Sequence, residues 1–404
     1  MYIAGSYTQQ DLIRGIDAAE KGLTSRFINN GVITDAAEQR YWRELIENAS
    51  FGKNTVLYDD QGNPSVMVEI KAFTEADVLD TGSNLPHPAF IVNDVAVGSI
   101  FVSKYLNGLK GSEATLRSYS LKGIDPGNNI TLDNSLLACK QKGTGWHLTT
   151  NAEWAAIALS SRKKGFMPRG NNNGGKDINI ASEKGVPSYI YSGAVGRTLT
   201  GSGPLAWSHD GTPFGVYDLN GNVWEWVGGL RLNVGEIQIL ANNNAADNTK
   251  DQSAVSTEWK AILQDGTLVT PGTADTLKID SPIVGTGVSA DLGAPFINTS
   301  ITHSMNPGDT ASNEYLGYGQ TTFETLSANT GVTVPKLLKL LGVSPAFTDC
   351  GADIFYTRNY GERCALRGGI WSYGSSAGVF LLNLSAPRSR YDVNLGFRST
   401  FVKL

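Results

Sequence analysis

The stretch that decides the fold is Leu366-Arg-Gly-Gly-Ile-Trp-Ser-Tyr-Gly-Ser-Ser-Ala-Gly-Val-Phe-Leu-Leu-Asn-Leu-Ser-Ala-Pro-Arg-Ser-Arg-Tyr-Asp-Val-Asn-Leu-Gly-Phe-Arg-Ser-Thr-Phe-Val-Lys-Leu404. It has two kinds of position. Arg367, Gly368, Gly369, Trp371, Gly374, Ala377 to Phe380 and Leu395 to Arg398 form an apolar and glycine-rich frame. Between them lie Ile370, Ser372, Tyr373, Ser376, Leu381, Asn383, Ser385, Arg390, Tyr391 and Asp392, of mixed and mostly small or aromatic character. From Ile370 to Arg398 there is no Lys, Glu, Gln or Met. At this chain's composition such a gap arises by chance about 3 per cent of the time, which is suggestive beside the motifs that precede it.

The first of those is Gly215-Val-Tyr-Asp-Leu-Asn-Gly-Asn-Val-Trp-Glu-Trp226. Another is Gly145-Trp-His-Leu-Thr-Thr-Asn-Ala-Glu-Trp154, and a weaker one is Phe90-Ile-Val-Asn-Asp-Val-Ala-Val97. Together with R-G-G-x-W and N-L-G-F-R, these blocks resemble, in the same order, the formylglycine-generating-enzyme (sulfatase-modifying-factor) branch of the C-type lectin fold. The resemblance spans about residues 86 to 404, and the 90–97 block stands where that branch has its opening strand. It implies an α+β, loop-rich lectin fold.

Composition agrees with a large globular chain. The 404 residues are 41% hydrophobic and 18% charged, with 46 glycines and a net charge of −5. A core of more than one domain's size is within reach. No basic tract occurs, so nucleic-acid binding is not expected. Neither a secretory signal nor a lipid-anchoring cysteine is recognisable at the N-terminus, and no apolar run has membrane-spanning length. Cys139, Cys350 and Cys364 imply no disulfide framework. A Cys350–Cys364 bridge is conceivable, and buried free thiols are the preferred reading.

Residues 1–85 match nothing in the lectin fold and are expected to form a separate attachment or oligomerisation module. Its first helix has a stripe of Leu12, Ile13, Ile16, Ala19 and Leu23; Gly31 stops it. Its second, capped by Thr34 or Asp35, has a stripe including Ala37, Tyr41, Leu45 and Ile46. A hairpin follows, from Thr55–Tyr58 and Ser65–Ile70. In the lectin-like part, helices are expected at Leu132–Gln141 and Ala152–Lys163, with Glu153 beside the cap of the second. An insert runs from Gly228 to about Gly361, with a strand at Glu236–Leu240 and a helix at Val334–Leu341.

The chemistry points away from catalysis. The oxidase of the resembling branch needs two thiols after R-G-G, and here Tyr373 and Gly378 stand in their places. Cys364 precedes the motif. His87, His147, His209 and His303 have no metal-binding spacing and read as structural. Asp218, Asn220, Asn222 and Glu225 offer oxygens either to a turn or to a structural calcium. No cofactor is expected beyond that open point.

The C-terminal pattern also resembles the variable region of proteins diversified by diversity-generating retroelements. So do Pro168-Arg-Gly-Asn-Asn-Asn173 and Leu199-Thr-Gly-Ser-Gly-Pro-Leu-Ala-Trp-Ser-His-Asp-Gly-Thr-Pro213. In that family adenines are miscopied, and the resulting codons exclude Lys, Glu, Gln, Met and Trp. The ten mixed positions obey this restriction. The resemblance implies a non-enzymatic, phage-type receptor-binding protein whose ten positions are a diversified surface. Tyr373, Arg390 and Tyr391 would be its strongest contacts. The partners implied are a bacterial surface protein or glycan and other virion proteins, with a homotrimer left open. The implied place is a phage tail fibre, or the bacterial cytoplasm before assembly. The alternatives are a relative of the oxidase or an undiversified host binding module.

Overall fold

The computed structural model describes residues 8–281, 283–284, 291–302 and 318–404. Thr8 and Asp11 cap the first helix reciprocally, each side chain accepting the other's backbone N–H. That helix, Gln9–Asn30, ends at Gly31, whose φ of 75° is open to glycine at no steric cost. The second, Ala36–Ser50, starts where Asp35 Oδ1 accepts the Glu38 N–H at 2.8 Å. Ile16, Ala19, Leu23 and Phe27 turn inward from the first helix, as does Ile46 from the second. The expected stripe of the second helix is corrected: Ala37 and Tyr41 are exposed. Trp42 faces the first helix instead, resting where a Cβ on Gly22 would come within 3.2 Å of its ring.

The strands Asn54–Tyr58 and Pro64–Lys71 make the expected hairpin. It does not end a module. Pro64–Lys71 pairs with Ser99–Ser103, which pairs with Ser399–Phe401, which pairs with Trp146–Leu148. One core holds Ile16, Leu23, Val56 and Val66 together with Tyr105, Leu121, Trp207 and Tyr217. Hydrogen bonds and apolar contacts therefore cross the boundary expected near residue 85. The Lys104 ammonium seals the join: it is fully buried and donates to Glu20 Oε1 (2.6 Å), Asn54 Oδ1 (2.9 Å) and the Pro213 carbonyl (2.7 Å).

The 90–97 block, expected in the place of an opening strand, is a small hairpin of Ile91–Val92 and Val95–Ala96, turned by Asn93 and Asp94 at positive φ. The strand that pairs with Ser399–Phe401 on this side is Ser99–Ser103. The two lectin-region helices are Leu132–Lys140 and Asn151–Lys163. Thr150 and Glu153 form a capping box at the second, as the sequence suggests.

The large sheet runs, in order, through Tyr318–Thr322, Ile354–Arg358, Gly378–Ala386, Glu362–Gly368, Trp224–Asn233 and Glu236–Ile239, and on to Lys278–Asp280 and Phe296–Asn298. Strands of the 228–361 insert thus lie on both sides of the Trp224, Glu362 and Gly378 strands. The insert's expected strand and helix are present as Glu236–Ile239 and Lys336–Leu340. The Gly378–Ala386 strand is covered on both faces: Phe380, Leu382 and Leu384 enter the main core, while Leu381 and Ala386 enter a second one with Trp224, Trp226 and Leu366. All three cysteines are buried free thiols, each pushed up to about 12 by burial.

Candidate ligand-binding face

Two buried arginines hold the frame. Arg398 forks onto Glu225 with both contacts at 2.7 Å, and its remaining N–H groups donate to the carbonyls of Ser103 and Tyr217. Arg367 is held by neutral acceptors. It donates to Asn151 Oδ1 (2.6 Å) and to the Gly342 carbonyl (3.0 Å), and burial draws its pKa down to about 9. Gly369, at a φ of 86°, lets the chain pass Ala377; a Cβ there would stand 2.8 Å from that of Ala377.

Gly378 has a different reason. A Cβ on it would lie 2.0 Å from Asp353 Oδ1. The Asp353 carboxyl fills that space, buried, and accepts the Phe380 N–H at 2.8 Å. Burial raises its pKa to about 7, and the charge of Glu324 adds to the rise. The fold therefore favours the protonated acid. Its contribution to stability is full below the ordinary range near 3.8 and falls as pH rises to about 7. Urea midpoints of the wild type and Asp353→Asn at pH 4.5 and 7.5 should differ in slope, with the variant losing less stability by ~2–3 kcal/mol. Equal losses in both proteins would reject this assignment. Asp218, raised to about 6, and His87 and His209, lowered to about 4, titrate in both proteins and cancel.

The ten mixed positions divide on this frame. Ser372 and Arg390 are exposed, Tyr391 is 67% exposed, and Ser376, Ser385 and Asp392 are half-buried. Tyr373 is half-buried and packs edge-on against Trp224 at 5.3 Å between ring centroids. Three do not fit the expected surface. Leu381 is fully buried, Ile370 is 7% exposed and Asn383 is 7% exposed. Leu381 and Ile370 belong to the second core, where Trp224, Trp226 and Leu366 pack, while the Ile354–Arg358 strand pairs along the edge of Gly378–Ala386. Asn383 lies opposite Tyr356 in that pairing, and its Oδ1 accepts from the Ser385 N–H and hydroxyl.

The pairing brings in residues the sequence did not single out. Tyr356 and Tyr318 come from the insert; their rings stack at 5.9 Å, and Tyr356 meets Tyr373 at 6.1 Å. Burial raises the pKa of all three phenols, so they remain neutral donors at neutral pH. At Tyr373 the Arg390 charge offsets part of that rise. Arg388 fixes the base of the 387–394 loop through Glu362 (2.9 Å) and Asp133 (2.7 Å). The hint in the sequence was the β-rich run Ile354-Phe-Tyr-Thr-Arg358, close before R-G-G.

The oxygens weighed for calcium have hydrogen-bond partners. Asp218 accepts the Gly201 N–H at 2.8 Å, Asn222 Oδ1 accepts the Thr198 N–H at 2.9 Å, and Asn220 Oδ1 accepts from Asn172 Nδ2 at 3.3 Å. Glu225 serves Arg398. His87 contacts the Leu340 carbonyl and His147 contacts Glu153. His209 Nδ1 accepts the Val216 N–H. His303 lies outside the described residues.

No family model matches the chain, and no curated protein matches it. Among solved structures it is similar to PvdO from Pseudomonas aeruginosa, at 15% identity over 86% of this chain and 97% of that one, with a TM-score of 0.36. It is also similar to Treponema denticola variable protein 1, at 12% identity over 86% and 98%, with a TM-score of 0.31. The U1 variant of the Major Tropism Determinant matches at 12% identity over 86% and 71%, with a TM-score of 0.29. The α+β, loop-rich architecture expected from the sequence is present.

Proposed function

We propose that the chain is a non-enzymatic receptor-binding protein whose C-terminal face is diversified, and that it contacts a bacterial surface molecule from a phage tail fibre. One observation carries this reading. Ser372, Ser376, Ser385, Arg390, Tyr391 and Asp392, all accessible, sit on a frame that two buried arginines and a buried carboxyl lock in place. Side chains of this kind give adaptable recognition, and a locked frame tolerates their exchange. Several copies on one particle would raise avidity without new contacts. The reading needs no cofactor. The thiol chemistry of the resembling oxidase has no support here, since Gly378 has no room for a side chain beside Asp353. Leu381, Ile370 and Asn383 take part, if exchanged, through the shape of the underlying core.

The test is the DNA around the gene. A near-copy of the segment encoding Leu366 to Arg398 is expected, with a reverse-transcriptase gene nearby and mismatches at template adenines. Absence of any such copy would remove diversification from the reading.

A further inference from the structure

A cavity of about 430 Å³ lies between the 54–71 hairpin and the Asn151–Lys163 helix, and none of its lining residues belongs to the 366–398 segment. Val68, Ile70 and Phe73 from the hairpin and the turn after it, Ile157 from the helix, and Phe214 supply its apolar wall. Val68 and Ile157 belong to the main core and Phe214 to the core under the N-terminal helices, so the cavity sits where those two cores meet. Lys53, Lys71 and Lys164 also line it, all exposed, together with Glu69 and Asp210. Three ammoniums and two carboxylates leave one positive charge in excess. None of the three lysines forms an ion pair among the described residues. The Lys53 ammonium lies 5.2 Å from the centre of the Phe214 ring.

One buried donor completes the set. His209 lines the same cavity and is 5% exposed. Its Nδ1 accepts the Val216 N–H at 2.8 Å, so the ring proton sits on Nε2. The His209 backbone is pinned as well: its N–H donates to the Val216 carbonyl and its carbonyl accepts the Ser161 hydroxyl, each at 2.8 Å. Burial draws the ring's pKa down to about 4; the Asp210 charge opposes this and the Lys164 charge adds to it, so both stand near the ring. Among the described residues nothing accepts from Nε2. That N–H is left for water or for an occupant of the cavity.

We propose that this cavity binds a small organic acid, a single carboxylate on an apolar body. A carboxylate has two acceptor oxygens, one for the His209 Nε2–H and one for the Lys164 ammonium. Its one negative charge matches the one positive charge in excess. The apolar body covers the wall of Phe73, Ile157 and Phe214, and a few placed polar groups on such a wall are what small-ligand sites consist of. A sugar would set hydroxyls against that wall without partners, and an amine would add a fourth ammonium to three. The site is independent of the receptor-binding reading above.

Isothermal titration calorimetry of the full chain with phenylbutanoate, phenylbutanol and phenylbutylamine tests this. The acid should bind at one site per chain, the alcohol about tenfold or more weakly, and the amine not at all. K164M should weaken the acid about tenfold, and K53E/K164E should abolish its binding. Both lysines are exposed, so these variants keep the fold. R390A/Y391A should leave binding of the acid unchanged. Equal binding of the alcohol, or tighter binding of the amine, overturns the anionic occupant. Undiminished binding by K164M, or loss with R390A/Y391A, overturns the placement in this cavity. No binding of the acid at millimolar concentration overturns the site itself.

Discussion

Replacing Arg398 with methionine is expected to destabilise the protein by about 3–5 kcal/mol, as the loss of one partner from a buried ion pair does. Glu225 is 1% exposed and would keep its carboxylate with no counter-charge. The carbonyls of Ser103 and Tyr217 would lose their donors at the same stroke. Burial already raises the Glu225 pKa, and Arg398 is what pulls it back down. Without the arginine, the carboxyl would fold more readily when protonated. The defect should therefore shrink as pH falls toward the carboxylate range. Urea unfolding of Arg398→Met at pH 5 and pH 8 measures this, with the double variant Glu225→Gln/Arg398→Met as control. The double variant should recover part of the loss and show no such pH dependence. A single variant that unfolds like the wild type would mean the fork contributes nothing.

Lys104→Met should have a comparable effect, about 3–5 kcal/mol, and a local one. It strands Glu20, which is 1% exposed and also accepts the Tyr105 hydroxyl at 2.6 Å. Lys122 stands 4.0 Å from Glu20 and recovers little of the lost charge. Because Glu20 lies on the first helix and Lys104 beside the Ser99–Ser103 strand, the substitution should loosen helix from sheet. Hydrogen exchange is expected to rise across residues 9–50 while amides of the Asn151–Lys163 helix stay protected. Uniform loss of protection across both regions would show that the N-terminal helices are not separately held by this contact.

Local structure was legible where a few neighbouring residues decide it. The Thr150–Glu153 capping box, the Asp35 cap and the 54–71 hairpin each depend on groups within a few positions. The Tyr41 side of the second helix was misjudged, because Gly22 on another helix makes room for Trp42. The same limit explains the candidate site. Leu381 was placed on the surface with the other mixed positions of the 366–398 segment, through the resemblance alone. Its strand has a core on each side, so alternation along Val379–Leu384 carries no inside or outside signal. Tyr318 and Tyr356 reach the site only through strand pairing that periodicity cannot register. Arg390 and Tyr391 are exposed as expected, in the polar segment between the Gly378–Ala386 and Leu395–Phe397 strands.

The Ser399–Phe401 strand has a further consequence, which concerns time rather than space. It lies between the strands of residues 99–103 and 146–148. During synthesis, the early strands leave the ribosome long before the one that belongs between them. Until residue 401 follows, their facing edges stay unpaired, and the Arg398 that neutralises Glu225 has not arrived. At typical elongation rates of about 5–20 residues per second, that wait lasts on the order of tens of seconds. A nascent chain broken off inside the mixed segment never receives the closing strand. Its open edges are then available to chaperones or to aggregation. Folding thus inspects the 366–398 segment: only chains translated through it in frame can close.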